Sequence, residues 1–197
     1  MKKLCRYAFI SLATIQLALF PPFSFAAGSG SATALEEYVY TPDAAYSYTL
    51  TDMQEQAGFT LYTLLMDSLQ WRSAKEVERR LWTHQVLIVI PKVVTTQTAL
   101  MLINGGSNPP GAIDPLIVGI GAAIAAGSGS VLASVSQIPN QPLQFPDEGA
   151  PISEEALVAY SWDKALATGD GSWAAYMPMT KASVRAMDAV QTFVNEN

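Results

Sequence analysis

Cysteine is nearly missing: Cys5 is the single one among 197 residues. It lies in a leader-like N-terminal stretch, so the rest of the chain has no thiol and no disulfide. No small-residue cleavage site directly precedes it, which excludes a lipobox. Histidine is equally scarce. His84 stands alone, so no His/Cys zinc cluster is available, and the sequence calls for no metal and no cofactor. Charged residues make up only 14%. No G-x-x-x-x-G-K-[ST] phosphate loop exists. Gly119-Ile-Gly121-Ala-Ala-Ile124 approaches a dinucleotide fingerprint, but it lacks the final Gly or Ala and falls inside a predicted helix. The carboxylate pairs Glu36/Glu37 and Glu154/Glu155 are adjacent in sequence, so each pair splits between faces; they suit solvated helix starts better than glycosidase chemistry. Apolar runs are short as well. Tyr7 to Phe20 covers 14 residues, below the roughly 20 needed to span a bilayer.

The N-terminus reads as a secretory signal. Lys2, Lys3 and Arg6 precede the Tyr7–Phe20 run, and Ser24-Phe25-Ala26 places small residues where a signal peptidase reads. The expected division is a signal peptide over 1–26 and a mature domain over 27–197, secreted or periplasmic, with no integral span after cleavage. The leader holds three of the 11 Lys+Arg and none of the 17 Asp+Glu, so residues 27–197 carry 8 basic against 17 acidic groups, a net of −9. That excess argues against nucleic acid and anionic membranes as partners. The 171 residues suffice for one core. With half the chain apolar, apolar surface is expected to stay open unless more protein packs on it.

Patterning predicts strands at Tyr46–Thr51 and Phe59–Met66 with a turn at Gln54–Gly58, then a charged turn or loop at Ser73–Arg80. The β-branched run Val86–Ile90, closed by Pro91, predicts a buried strand, and Ala99–Ile103 another. Asp114 and Pro115 are a good N-cap and first helical residue. The helix to Ala126, capped by Gly127, is apolar all round and is therefore expected to be buried on most sides. Val131–Val135 follows as a strand. Gln137 to Asp147 holds three prolines and reads as a loop. Ser153 is expected to cap a helix to Ala167, and Thr180 a final helix with Ala182, Ala186, Val190 and Phe193 as its stripe. The fold class is α/β: antiparallel N-terminal strands leading into a parallel βαβ unit, with three helices.

The candidate site is the loop between the Ala99–Ile103 strand and the Asp-Pro helix: Asn104, Gly105, Gly106 and Ser107. Two adjacent N–H groups with no side chain over them can hold a developing negative charge. The alternative is a turn that uses glycine for positive φ. No catalytic residue can be named beside the loop. Gly105-Gly-Ser107-Asn-Pro109 breaks the G-x-S-x-G elbow at its fifth position, and Gly127-Ser-Gly-Ser130 has the wrong spacing. His84 precedes every candidate serine and reads as a residue at the start of a buried strand, satisfied by a local hydrogen bond. Trp71-Arg72 with Arg79-Arg80-Leu81-Trp82 offers a recognition surface or, alternatively, partly buried packing with arginine stacked on tryptophan.

These residues carry a resemblance. Gln70-Trp-Arg-Ser73, Leu81-Trp-Thr-His84, Ile103-Asn-Gly-Gly-Ser-Asn108, Gln137-Ile-Pro-Asn-Gln-Pro142, Phe145-Pro-Asp147 and Ala159-Tyr-Ser-Trp-Asp163 are similar to the N-terminal part of the PhoPQ-activated pathogenicity-related protein family. Met179-Thr-Lys-Ala182 and Val184-Arg-Ala-Met-Asp188 extend the match. The resemblance implies an exported, virulence-related α/β-hydrolase-like protein, of which this chain holds an incomplete sheet. The family's nucleophile turn, acid and histidine would follow the last helix, so the expectation is a truncated or split chain without hydrolase activity by itself. Of the family's site, only Asn104, Gly105, Gly106 and Ser107 carry over. A secreted non-catalytic binding or signalling module is the first alternative, and half of a split esterase or peptidase-like hydrolase the second. The partner expected is the missing C-terminal half or another protein.

Overall fold

The computed structural model describes residues 31–197; the expected signal peptide lies outside them. Ten elements follow in order: helix α1 Ala34–Tyr40, strands β1 Ser47–Glu55, β2 Phe59–Gln70, β3 Leu81–Pro91 and β4 Leu100–Ile103, helix α2 Pro115–Ser128, strand β5 Leu132–Val135, helix α3 Glu154–Thr168, a 3₁₀ turn Gly171–Trp173, and helix α4 Tyr176–Glu196. The strands form one sheet in the order β1-β2-β3-β5-β4. β1, β2, β3 and β5 pair antiparallel in succession, and β4 pairs parallel with β5 through the α2 crossover. Antiparallel strands thus lead into a βαβ unit, as the pattern implies.

β3 is central because its Val-Leu-Ile-Val run is buried on both faces, the composition expected of an interior strand. On one face, α4 lays Ala182, Ala186, Ala189, Val190 and Phe193 against Leu64, Met66, Val86 and Ile88. The same layer holds an aromatic knot in which Trp71 meets Trp82, Phe145 and Trp173 edge-on, with ring centroids 5.7–6.2 Å apart. On the other face α2 packs on Leu61, Leu87, Val89 and Leu132.

There are four α-helices among the described residues rather than the expected three. α1 is a short helix with a reciprocal capping box between Thr33 and Glu36, a pairing that explains why two adjacent acids sit at its start. α2 runs past Gly127 to Ser128, because Gly129 takes the left-handed conformation (φ 64°) and returns its N–H to Ala125 O. α4 starts at Tyr176, four residues before Thr180. Pro178 is accommodated in the first turn, where no intrahelical N–H is required. Nor is α2 buried on most sides. Gly121 and Ala125 face the sheet, whereas Leu116 is 65% exposed and Ile120 and Ile124 also face out. The helix approaches closely only where glycine allows it: a Cβ on Gly121 would lie 3.0 Å from Leu132 Cδ2. No described element covers its outer side.

The Trp71–Trp82 segment is packing rather than a recognition surface. Both tryptophans are buried, and Arg72 stacks 4.0 Å from the Trp173 centroid while it pairs with Glu76 and Asp170. β4 is the sheet's edge on the side away from β5, and Ile103 there is 50% exposed. Beside that edge a groove of about 870 Å³ opens between Leu100, Met101 and the Met187–Val194 side of α4.

Candidate functional site

A second cavity, about 360 Å³, opens at the C-terminal ends of β4 and β5. Asn104, Gly105 and Gly106 form one wall. Gly111 to Asp114 and Ile117, leading into α2, form another, and Gln85, Ser134, Ser136 and Gln137 close it from the sheet. This is the crevice where a parallel βαβ unit leaves its loops splayed.

The glycine loop is fixed at its base by backbone bonds. Asn104 N–H donates to Val135 O at 2.8 Å, Gln137 N–H to Gly105 O at 3.0 Å and Ile138 N–H to Asn104 O at 3.1 Å. Asn108 N–H donates to Gln141 O at 2.6 Å and closes the far side. Among the described residues, the N–H groups of Gly105 and Gly106 donate to no acceptor, and both residues are exposed on the cavity. Gly106 has φ 127°, a conformation that a side chain strains, and a Cβ there would lie 3.3 Å from Gln137 Nε2. The backbone angle therefore favours glycine at this position, and a Cβ would crowd the Gln137 carboxamide.

The four residues expected at the site divide. Gly105 and Gly106 present bare backbone to the cavity. Asn104 lines it but turns its Nδ2 onto Ser134 Oγ at 2.7 Å, an interstrand clamp that commits one of this amide's two N–H donors to the sheet. Ser107 is drawn away into a bridge with Gln141 and does not line the cavity.

His84 is remote from any catalytic posture. It is 0% exposed. Its Nδ1 lies 3.1 Å from Ser136 O and its Nε2 2.8 Å from Ser68 Oγ. A carbonyl only accepts, so Nδ1 carries the proton, and Ser68 donates to Nε2. Burial pushes the imidazole down to about 4, against the opposing pull of its bond to Ser136. The local satisfaction expected for this histidine is observed, although it sits inside β3 rather than at its start.

Sequence reasoning missed Gln137, read only as the first residue of a proline-rich loop. Gln137 is 5% exposed with φ 61°, and its Oε1 accepts from Gln85 N–H at 2.9 Å. A polar residue two positions after an apolar strand and directly before Ile-Pro was the available signal. No group of three or more His, Cys, Asp or Glu able to hold a metal occurs among the described residues, and no described helix is long and apolar enough to cross a membrane.

The family model for "PhoPQ-activated pathogenicity-related protein" matches residues 35–197. Autocrine proliferation repressor protein A of Dictyostelium discoideum is 42% identical over 166 residues, which are 82% of this chain and 33% of that protein. The chain thus spans about a third of the length of this relative. A looser spatial likeness, at 13% identity and a TM-score of 0.48, is to the crystal structure of a provisionally assigned acetyl xylan esterase from Bacteroides fragilis, over 81% of this chain and 41% of that one.

Proposed function

Because the chain belongs to the PhoPQ-activated pathogenicity-related protein family, we propose that it is an exported member in which the Gly105–Gly106 backbone is the charge-holding half of a hydrolase-like site. By itself it turns nothing over. The observation that carries this reading is the pair of unbonded glycine N–H groups facing a cavity at the end of β4. Preorganised donors of that kind stabilise an oxyanion. The missing half of the chemistry is argued from His84, the chain's one histidine, which is sealed inside the sheet and committed to Ser68 and Ser136. A general base must reach the proton it removes, and this one cannot.

Export is supported by the basic, apolar, small-residue order of residues 1–26. The open β4 edge and the groove beside it suit a further extended segment, supplied by polypeptide equivalent to the remainder of the longer relative. A second reading, a binding or signalling module, is favoured by the same burial of His84, since a cavity that the chain's one histidine cannot reach holds ligands without that base to consume them. The relative's name, that of a repressor of proliferation, agrees with a signalling role.

The test is hydrolysis of a short p-nitrophenyl ester by the purified chain. The expected rate equals that of buffer, for the wild type and for Gly106→Val alike. Turnover above buffer that disappears in Gly106→Val contradicts the inactive reading and establishes a working esterase.

A further inference from the structure

We propose that the Gln137 carboxamide is the side-chain donor of the cavity, and that with the Gly105 and Gly106 N–H groups it takes an uncharged carbonyl oxygen, of an amide or ester, rather than a free anion. The inference rests on the reading of the glycine loop as a donor cradle and adds both a residue and a ligand class.

The first ground is orientation. A primary amide can turn either end toward a cavity. Here Gln85 N–H donates to Oε1 at 2.9 Å, so the acceptor end is consumed by β3 and the NH₂ end remains. Nε2 lies beside Gly106, 3.3 Å from where a Cβ would stand, and donates to no acceptor among the described residues. The residue as a whole is buried, yet Nε2 is not one of the sealed unpartnered polar atoms, which are Arg72 Nε, Trp82 Nε1 and Arg185 Nε among the described residues; it therefore reaches the cavity and is free to donate to what enters it.

The second ground is the way Gln137 is held. Its φ of 61° is a left-handed conformation that residues other than glycine rarely adopt. The backbone is clamped on both sides, through Gln137 N–H to Gly105 O and Ile138 N–H to Asn104 O. One step back, Ser136 O accepts from His84 Nδ1. The carboxamide and the glycine loop therefore move as one body.

The third ground is charge. Among the residues lining the cavity there is no Lys, Arg or His, and the single ionisable one is Asp114, an acid. Donors without a cation beside a carboxylate disfavour phosphate or a free carboxylate, which would pay like-charge repulsion. A carbonyl oxygen is acceptor enough for N–H groups and meets no such penalty.

The experiment is a ¹H–¹⁵N titration of the full chain with N-acetylglycinamide and, separately, with inorganic phosphate at matched ionic strength. The side-chain NH₂ pair of Gln137 and the backbone amides of Gly105 and Gly106 give separate signals. The neutral amide is expected to shift all of them saturably, with phosphate leaving them in place. If the glycine amides shift and the Gln137 pair does not, Gln137 is no donor and this inference fails while the cradle stands. If only the Gln137 pair shifts, the cradle reading fails. Silence from all of them overturns both, and a saturable response to phosphate alone overturns the ligand class. Gln137→Glu keeps the acceptor for Gln85 and replaces the donor; it is expected to bind the amide about tenfold or more weakly, and unchanged affinity would contradict the proposal. Should that variant not fold, the wild-type signals decide.

Discussion

The Ser68 hydroxyl donates to Nε2 of His84 across 2.8 Å, and both side chains are 0% exposed. The pair has the atoms of a hydrolytic dyad and the surroundings of a core. Ser68 is the unpaired residue at the β2 bulge between Asp67 and Leu69, His84 pairs with Met66 from β3, and Nδ1 carries the link on to Ser136 just past β5. The triplet thus ties three strands together immediately behind the candidate cavity.

Removing Ser68 should therefore cost stability rather than activity. Ser68→Ala leaves Nε2 buried without a donor, and the expected loss is about 1–3 kcal/mol. It would be read as a lower denaturant midpoint at unchanged slope. An unshifted midpoint would show that the pair does not matter to the fold.

Acid should weaken the protein in two overlapping stages. The folded imidazole protonates at about 4 instead of 6.5. Between those values the unfolded chain binds a proton that the folded one refuses. Stability is then full above about pH 6.5 and falls by about 3 kcal/mol by about pH 4. Glu76, held down to about 2 by Ser73 and Arg72, and Asp170, held down by Ser172 and Arg72, act in the same direction lower down: their stabilisation is present above the ordinary carboxylate range and lost as pH falls through it. The measurement is the denaturation midpoint against pH. In His84→Gln the decline between pH 6.5 and 4 should flatten.

The open edge predicts a solution property. Ile103 is half exposed on β4, which has no strand on its outer side among the described residues. Unpaired edges promote pairing between chains, and a lysine blunts them. Ile103→Lys should reduce self-association, seen by light scattering as a lower mass at a given concentration, with stability changed by no more than about 0.5 kcal/mol. Equal association in both proteins would show that this edge is not the adhesive surface.

Much of this architecture was legible in the residues. The Val86–Ile90 run announced a buried strand because β-branched side chains with no polar alternation suit burial on both faces. Asp114-Pro115 announced the start of α2 because cap and first-turn chemistry are local. What was not legible depended on distant partners. Gly127 read as the helix stop, but the helix ends at Gly129, whose N–H returns to Ala125 O. α1 was not set out as an element, although Glu36/Glu37 suggested a helix start, because seven residues with one buried side chain, Val39, carry too little periodicity. The site divided in the same way. Bare backbone at Gly105 and Gly106 is visible in the letters, but the turning inward of Asn104 and the fixing of Gln137 arise from pairing with β5 and β3, residues far along the chain.

The account stands most directly on whether the two glycine amides are free. Hydrogen exchange at single-residue resolution measures this. Gly105 and Gly106 should exchange near the rate of an unprotected peptide, while their neighbour Asn104, bonded to Val135 O at 2.8 Å, is slowed by orders of magnitude. Protection of Gly105 and Gly106 comparable to that of Asn104 would mean that these donors are spent inside the fold, and the charge-holding role would be contradicted.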